Sequence, residues 1–312
     1  MSDFPFLEVL AGCDLMDQGV GEGGIVQTFD PKHLDTRFRE QLKSETTGSK
    51  IGNVAAVGAP VLRKIIPMHQ PELRLTELLN PDDSQNVAVA VRLLRAIEAA
   101  GKAPSYAISG LDYNPFLGGM HEDLKVLAVA IECLLAVQFD KDKSIAELLE
   151  GLSCLAHLFL FIYRHNTTAF ITGHLYHDVQ ATVRCAFAMV AHAQHVCPSQ
   201  KIYLFQLGSD FLEPLFAILR TLTHSGTFGF KEFGDRISHA CQLDAVWARN
   251  NHLKHPSRRL NGDTGDYMNT RTWDDAVGGS GTNTDVRGVD LVTSWQNGRR
   301  QAVKVLRAHP LY

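Results

Sequence analysis

Cysteine is scarce and scattered in this sequence. Six cysteines are spread over 312 residues, and no two of them form a Cys-x-x-Cys pair. This spacing argues against a dense disulfide framework and against the common thiolate zinc and redox motifs. Several of the cysteines fall within apolar helical patterns, which is typical of reduced core cysteines in a cytosolic or nuclear protein.

Long apolar runs are also missing. No segment approaches the roughly 18 uncharged residues that suffice to span a membrane, and the most apolar stretch, residues 155–163, carries a helical pattern. No basic flank precedes the short apolar stretch near residue 1, so no signal peptide is predicted. We therefore expect no membrane association.

An excess of basic charge is missing from the chain as a whole. The formal net charge is −4 and the pI is about 6.4, which argues against a free-standing nucleic-acid-binding domain. From Trp247 to Tyr312, however, 10 Lys and Arg residues stand against 6 Asp and Glu, a net of +4. Lys254, Arg258 and Arg259 are candidate phosphate contacts there, although a solvated surface is the simpler interpretation.

The common cofactor and nucleophile motifs are absent. There is no Walker A sequence and no Gly-x-Ser-x-Gly elbow. Gly19, Gly21 and Gly24 match the dinucleotide fingerprint in spacing, but they precede a predicted strand and no helix opens after them. A hydrolase or a dehydrogenase is therefore not indicated.

Helical periodicity is the strongest pattern that is present. Apolar residues recur at helical spacing over residues 124–135, 145–162 and 175–196, and shorter helices are predicted from His33, after Asp83, over 211–222 and over 291–306. Short β-like runs occur at 25–29 and 201–207. The sequence predicts a mostly α-helical protein with a few strands.

Two acidic positions are candidate catalytic residues. Asp30 follows the first β-like run and precedes His33 and the basic residues Arg37 and Arg39, as in a metal site that faces a phosphate backbone. Asp210 and Glu213 are three residues apart at the start of a predicted helix, so they share one face. Helix capping also explains both patterns. From spacing alone, capping is favoured over a catalytic role.

Histidines near the third long helical run suggest a zinc site as a weaker hypothesis. His174 and His177, and likewise His192 and His195, are spaced to share a helix face, with Cys197 nearby. A structural zinc needs about four converging ligands. Ordinary polar helix positions are the favoured interpretation.

Several motifs in a fixed order resemble the C-terminal part of P-element/THAP-type transposases, in a fungal transposon-derived branch. The first is FDPKHLDTRFRE, which resembles the segment around the second catalytic Asp. The second is LLNPDDSQNVAVAVRLLRAIEAA, which resembles the start of the helical insertion domain. The third is GSDFLEPLFAILRTLTHSG, which resembles the motif that carries the last catalytic Glu. FITGHLYHDVQATVRCAF, DYMNTRTWDD and VDLVTSWQNGRR also resemble that branch, so that the resemblance covers roughly residues 25 to 305.

This resemblance implies a partial RNase H-like core that is interrupted by a helical insertion. The implied segments are 1–45 (core), 46–196 (insertion, of the GTP-binding type), 197–250 (return to the core) and 251–312 (basic tail and helix). Asp30 and Glu213 would hold catalytic Mg²⁺ or Mn²⁺, with Asp210 as a supporting acid. His33, Arg37 and Arg220 join Lys254, Arg258 and Arg259 as candidate phosphate contacts. The resemblance also implies transposon-end DNA as partner, the nucleus as location, possible homo-oligomers and possible GTP binding.

The chain departs from the family in ways that favour a fragment or remnant. No strand-borne acid stands upstream of Asp30 to act as the first catalytic Asp, and the N-terminal zinc-bearing domain is absent. Pro214 follows Glu213 directly and restricts where that side chain points. We therefore expect this chain to be inactive alone. The alternative is a non-enzymatic, domesticated helical protein that serves binding or oligomerisation.

Overall fold

Helices dominate the part of the chain that the structure describes. The structure, a computed structural model, describes residues 5–17, 19, 25–53, 55–83, 86–104, 115–140, 142–199, 201–204, 212–221, 229–250 and 285–310. The α-helices are α1 Pro5–Glu8, α2 Pro31–Leu42, α3 Ala59–His69, α4 Leu75–Leu78, α5 Val87–Lys102, α6 Pro115–Phe139, α7 Ile145–Asn166, α8 Gly173–Val196, α9 Leu212–Thr221, α10 Phe230–Arg249 and α11 Leu291–Ala308. Short 3₁₀ helices lie at Val9–Gly12 and Thr167–Ala169. The helices predicted from apolar periodicity are confirmed.

The predicted RNase H-like core is wrong for the described residues. That core needs a β-sheet, and these residues contain no strand or sheet; the β-pairing they show is one isolated bridge between Ser49 and Val57. Residues 25–29 have no regular structure and lead into α2, with Ile25 70% exposed. Residues 201–203 are likewise irregular, and 205–207 lie outside the described ranges. A short apolar run becomes a strand only where a partner strand pairs with it, and the described residues of these two runs have none.

Local capping explains where several helices begin. Ser144 and Glu147 form a reciprocal capping box at the start of α7. Asn86, three residues after Asp83, caps α5 by accepting from the Val89 backbone N–H at 3.1 Å. Thr172 caps α8 in the same way, and Asp290 caps α11. Each side-chain acceptor satisfies a backbone donor that the first helical turn leaves open.

The chain forms two compact units, residues Met1–Leu207 with Asp275–Tyr312 and residues Gly208–Asp274. In the first unit α7 packs against α6, α8 and α11, while α5 packs against α2 and α6. Aromatic contacts tie α2 and the turn after α7 to this core: Phe159 meets Phe38 at 5.8 Å and Phe170 at 5.1 Å between ring centroids. The four functional segments that the resemblance implies stay a prediction.

The central helix is apolar on nearly every side. The segment Ile145–Ala169 is long and apolar enough to cross a membrane by length and composition, and 67% of its most apolar window is buried inside the protein. Core helices of globular proteins meet the same two criteria. The apolar segment is longer than the stretch 155–163, because α7 continues on both sides of it, as the helical pattern over 145–162 predicts.

The second unit is described by α9 and α10. Ile218, Leu219 and Ala240 form its small buried cluster, which Phe233 and Trp247 partly cover. Because the cluster is so small, this pair of helices buries far less apolar surface than the first unit does.

Candidate functional site

The C-terminal helix α11 is held firmly against the other helices of the first unit. Ser153 donates to the Trp295 carbonyl at 2.6 Å, and the Trp295 indole N–H donates to the Asp14 carbonyl at 2.8 Å. At the other end, His309 Nε2 lies 2.8 Å from Asp123 Oδ1, and both side chains are buried. Burial raises the pKa of the Asp123 carboxyl, while the hydrogen bond and the charge of His309 act in the opposite direction. The helix is therefore a fixed platform for the side chains on its outer face.

A glycine allows α11 to approach α7 very closely. A Cβ atom placed on Gly298 would lie 2.3 Å from the Glu150 carbonyl oxygen and 2.7 Å from the Cys154 backbone nitrogen. Beside this crossing, Asn297 donates to Glu150 Oε1 at 2.6 Å. The far end of α11 meets the far end of α7 near Phe161, so the two helices run side by side in the same direction.

Cationic side chains lie along the exposed side of α11. Arg300, Lys304 and Arg307 are exposed and recur at helical spacing on α11, and the exposed Arg299 flanks them. The exposed Arg164 at the end of α7 faces the same cleft as Arg307. We call these five residues the basic face. Within the described ranges no carboxylate forms an ion pair with any of them, and α11 itself contains no acid.

Helix stabilisation explains only part of the basic face. Cations in a last turn offset the partial negative charge at a helix C-terminus, and Arg307 and Arg164 occupy such positions. Arg299 and Arg300 lie more than two turns before Ala308, beyond the reach of this effect. Their position leaves them available to an external anion.

An open cleft lies beside the basic face, between the ends of α7 and α11. Its volume is about 450 Å³, within the range of about 300–1,000 Å³ that is usual for small-ligand sites. Its lining is apolar in part and cationic or ionisable in part, and includes no carboxylate: Phe161, Arg164, His165, Val303, Leu306 and Arg307. The cleft therefore suits an apolar group that is attached to a negative charge.

Asp30 has a structural contact at the start of α2. Its Oδ1 accepts from the Lys32 backbone N–H at 2.9 Å, and Pro31 occupies the first turn. This is the helix cap that spacing alone favours. The catalytic and metal-binding role of Asp30 stays a prediction, since the capping contact does not test it.

The basic residues of α2 make intramolecular contacts. Arg37 forms an ion pair with the buried Asp178 of α8, although about half of the Arg37 side chain is exposed. Arg39 is fully buried, and its guanidinium donates to the Leu78 carbonyl at 2.9 Å and to the Asp83 carbonyl. Arg39 thereby holds the loop after α4 and does not face solvent. His33 is exposed, and its phosphate contact stays a prediction.

The remaining predicted site residues belong to the second unit or lie outside the described residues. Glu213 and Arg220 lie on α9, and Arg220 is exposed, while nothing is described of the Glu213 side chain. Asp210 and the predicted basic cluster Lys254, Arg258 and Arg259 fall outside the described ranges. Asp30 belongs to the first unit and Glu213 to the second, so their joint metal site stays a prediction.

The zinc hypothesis gains no geometric support. Among the described residues, which include the four histidines of α8 and Cys197, no group of three or more His, Cys, Asp or Glu side chains is arranged to hold a metal ion. The histidines are spread along the helix, and a zinc site needs ligands that converge.

None of the five residues of the basic face is among the phosphate contacts that the sequence predicts. The positive balance after Trp247 predicts phosphate contacts at Lys254, Arg258 and Arg259, which lie outside the described residues. The available signal was the segment 298–307, in which cations alternate with the apolar residues of an amphipathic helix. No protein-family model, curated protein or solved structure matches this chain. The transposase resemblance accordingly rests on its motifs alone.

Proposed function

We propose that this chain is a non-enzymatic helical module that binds nucleic acid through the basic face. The observation that carries the proposal is the set of exposed cations on α11 at Arg299, Arg300, Lys304 and Arg307, none of which forms an ion pair with another described residue. Arginine and lysine contacts to phosphate supply most of the non-specific affinity of proteins for nucleic acid.

The spacing of these cations suits a chain of phosphates. Arg300 and Arg307 are seven residues apart, which is about 10 Å along a helix axis. Phosphates recur at about 3.4 Å per strand along the axis of duplex DNA, so a row of this length spans several of them. A single small anion would engage only one or two of the five side chains.

The overall negative charge does not oppose this proposal strongly. At physiological ionic strength the Debye length is about 8 Å, so exposed acids on other sides of the molecule are largely screened from a ligand at α11. Local charge then determines the attraction.

The proposal is compatible with DNA as the partner that the transposase resemblance implies, and with a nuclear location. Of the two alternatives that the sequence leaves open, a transposase fragment and a domesticated, non-enzymatic helical protein, we propose the second. The described residues lack the β-sheet on which an RNase H-like site is built. Catalysis by Asp30 and Glu213 with Mg²⁺ or Mn²⁺, GTP binding and self-association are not needed for it.

Removal of two cations from α11 tests the proposal. We expect Arg300→Ala/Lys304→Ala to weaken binding to a labelled 20-base-pair duplex about 10-fold at low salt. We also expect it to reduce the slope of log K against log salt concentration by about 1.8, since each lost phosphate contact removes about 0.9. Fluorescence anisotropy across a salt series measures both quantities.

Lys64→Ala/Arg92→Ala is the matched control. Lys64 on α3 and Arg92 on α5 are exposed, and the double substitution changes the net charge by the same amount. Binding that weakens equally in both variants, or no salt-dependent binding by the wild type, would contradict the proposal.

A further inference from the structure

The cleft between α7 and α11 lies at one end of the row of cations. Arg307 belongs both to the basic face and to the cleft, and Arg164 lies on the opposite wall. A nucleic-acid backbone that follows Arg300, Lys304 and Arg307 would therefore pass the mouth of the cleft. From this arrangement, and resting on the proposed function, we infer that the cleft receives an unstacked base of a single-stranded nucleic acid.

The lining of the cleft matches a base attached to a phosphate. Phe161, Val303 and Leu306 provide apolar surface. Bases stack on aromatic side chains such as that of Phe161. Arg164 and Arg307 supply charge for the flanking phosphates, and a guanidinium can also stack on a base. Proteins that bind single strands combine these same two elements, a cationic track and an aromatic platform.

Charge distinguishes this occupant from an apolar peptide side chain. An apolar peptide would gain nothing from the cations at the rim and would leave them partly desolvated without a partner. A nucleotide places its apolar base and its anionic phosphate within one unit. A base in an intact duplex is stacked and paired, so the cleft favours single strands.

Filling the cleft tests this inference. We expect Val303→Trp to lower the affinity for a single-stranded 12-mer about 10-fold, because the indole fills the cleft and excludes the base from its contact with Phe161, and to leave duplex affinity unchanged within about twofold. A 12-mer with abasic sites should bind wild type about as weakly as the intact 12-mer binds Val303→Trp. Fluorescence anisotropy at fixed salt provides the affinities.

Gln301→Trp is the matched control, since it adds the same side chain at an exposed position on α11 and Gln301 does not line the cleft. It should leave the single-strand affinity unchanged, and circular dichroism checks that both variants are folded. Equal loss in both variants, or no loss with Val303→Trp, overturns the inference. If the duplex still binds with a salt dependence that Arg300→Ala/Lys304→Ala reduces, the proposed function survives that failure. If neither form of nucleic acid binds, both fail.

Discussion

Gly298→Ala is expected to destabilise the first unit by about 3 kcal/mol, although alanine is the best helix former. The new Cβ would lie 2.3 Å from the Glu150 carbonyl oxygen and 2.5 Å from the Ser153 Cβ. Two of the three nearest atoms belong to the backbone of α7, so a side-chain rotation cannot relieve the clash. The two helices have to move apart, which removes dispersion contacts along their whole interface. Urea denaturation followed by circular dichroism measures the change.

Gly118→Ala on α6 is the matched control. Nothing lies within 4 Å of a Cβ atom at that position, so the same substitution should stabilise the protein by up to about 1 kcal/mol through helix propensity. If the free energy of unfolding falls for Gly298→Ala and rises for Gly118→Ala, the close packing of α11 on α7 is the reason that position 298 requires glycine. A neutral Gly298→Ala would contradict the packing of α11 on α7, and with it the position of the basic face.

Asp35→Asn is expected to remove a pH dependence of stability between about pH 4 and pH 8. Asp35 on α2 is fully buried, and burial raises the pKa of its carboxyl to about 8. The hydrogen bond from Gln138 Nε2, at 3.0 Å, and the charges of Arg95 and Lys32 lower this pKa, while Asp30 raises it, but burial outweighs them. Oδ1 of Asp35 has no hydrogen-bond partner among the described residues.

The direction of the effect follows from proton counting. Between about pH 4 and pH 8 the unfolded carboxyl has released its proton and the folded carboxyl still holds it, so the folded state binds more protons. The wild type therefore loses stability as the pH rises through this window, by up to about 1.4 kcal/mol per pH unit from this group. Above the folded pKa this loss stops, because both states are then ionised.

Free energies of unfolding at pH 5, 6, 7 and 8 measure the difference. The asparagine amide resembles the neutral acid in size, so Asp35→Asn should match the wild type near pH 4 and exceed it increasingly toward pH 8. Asp82→Asn, in an exposed loop, controls for the loss of one acid from the chain. Parallel curves for wild type and Asp35→Asn would show that Asp35 is ionised in the folded protein.

The helices were predictable from sequence because their signals are local. Leu148, Leu152 and Phe159 recur at a spacing that puts them on buried helix faces, and the structure shows α7 there. Asp30 as a helix cap was likewise the simpler interpretation of an acid before a proline. The absence of a strand at 25–29 and at 201–203 was not predictable, because strand pairing depends on a distant partner that a short apolar run does not specify.

Residue type alone did not reveal which charged groups face solvent. Arg37 and Arg39 look equivalent in the sequence, yet Arg37 is half exposed and pairs with the buried Asp178, while Arg39 is buried against backbone carbonyls. The cleft also needed the tertiary structure, since Phe161 and Val303 are 142 positions apart in the chain.

The sequence by itself determined the helical character, most helix boundaries and the positive balance of the C-terminal region. These depend on periodicity, on capping residues and on composition, which act within a few turns of chain. The tertiary structure alone decided that Gly298 brings α11 onto α7, that Asp35 is enclosed, and that five cations and a cleft share one surface. Such features arise from contacts between residues distant in the chain, and one sequence carries no direct record of those contacts.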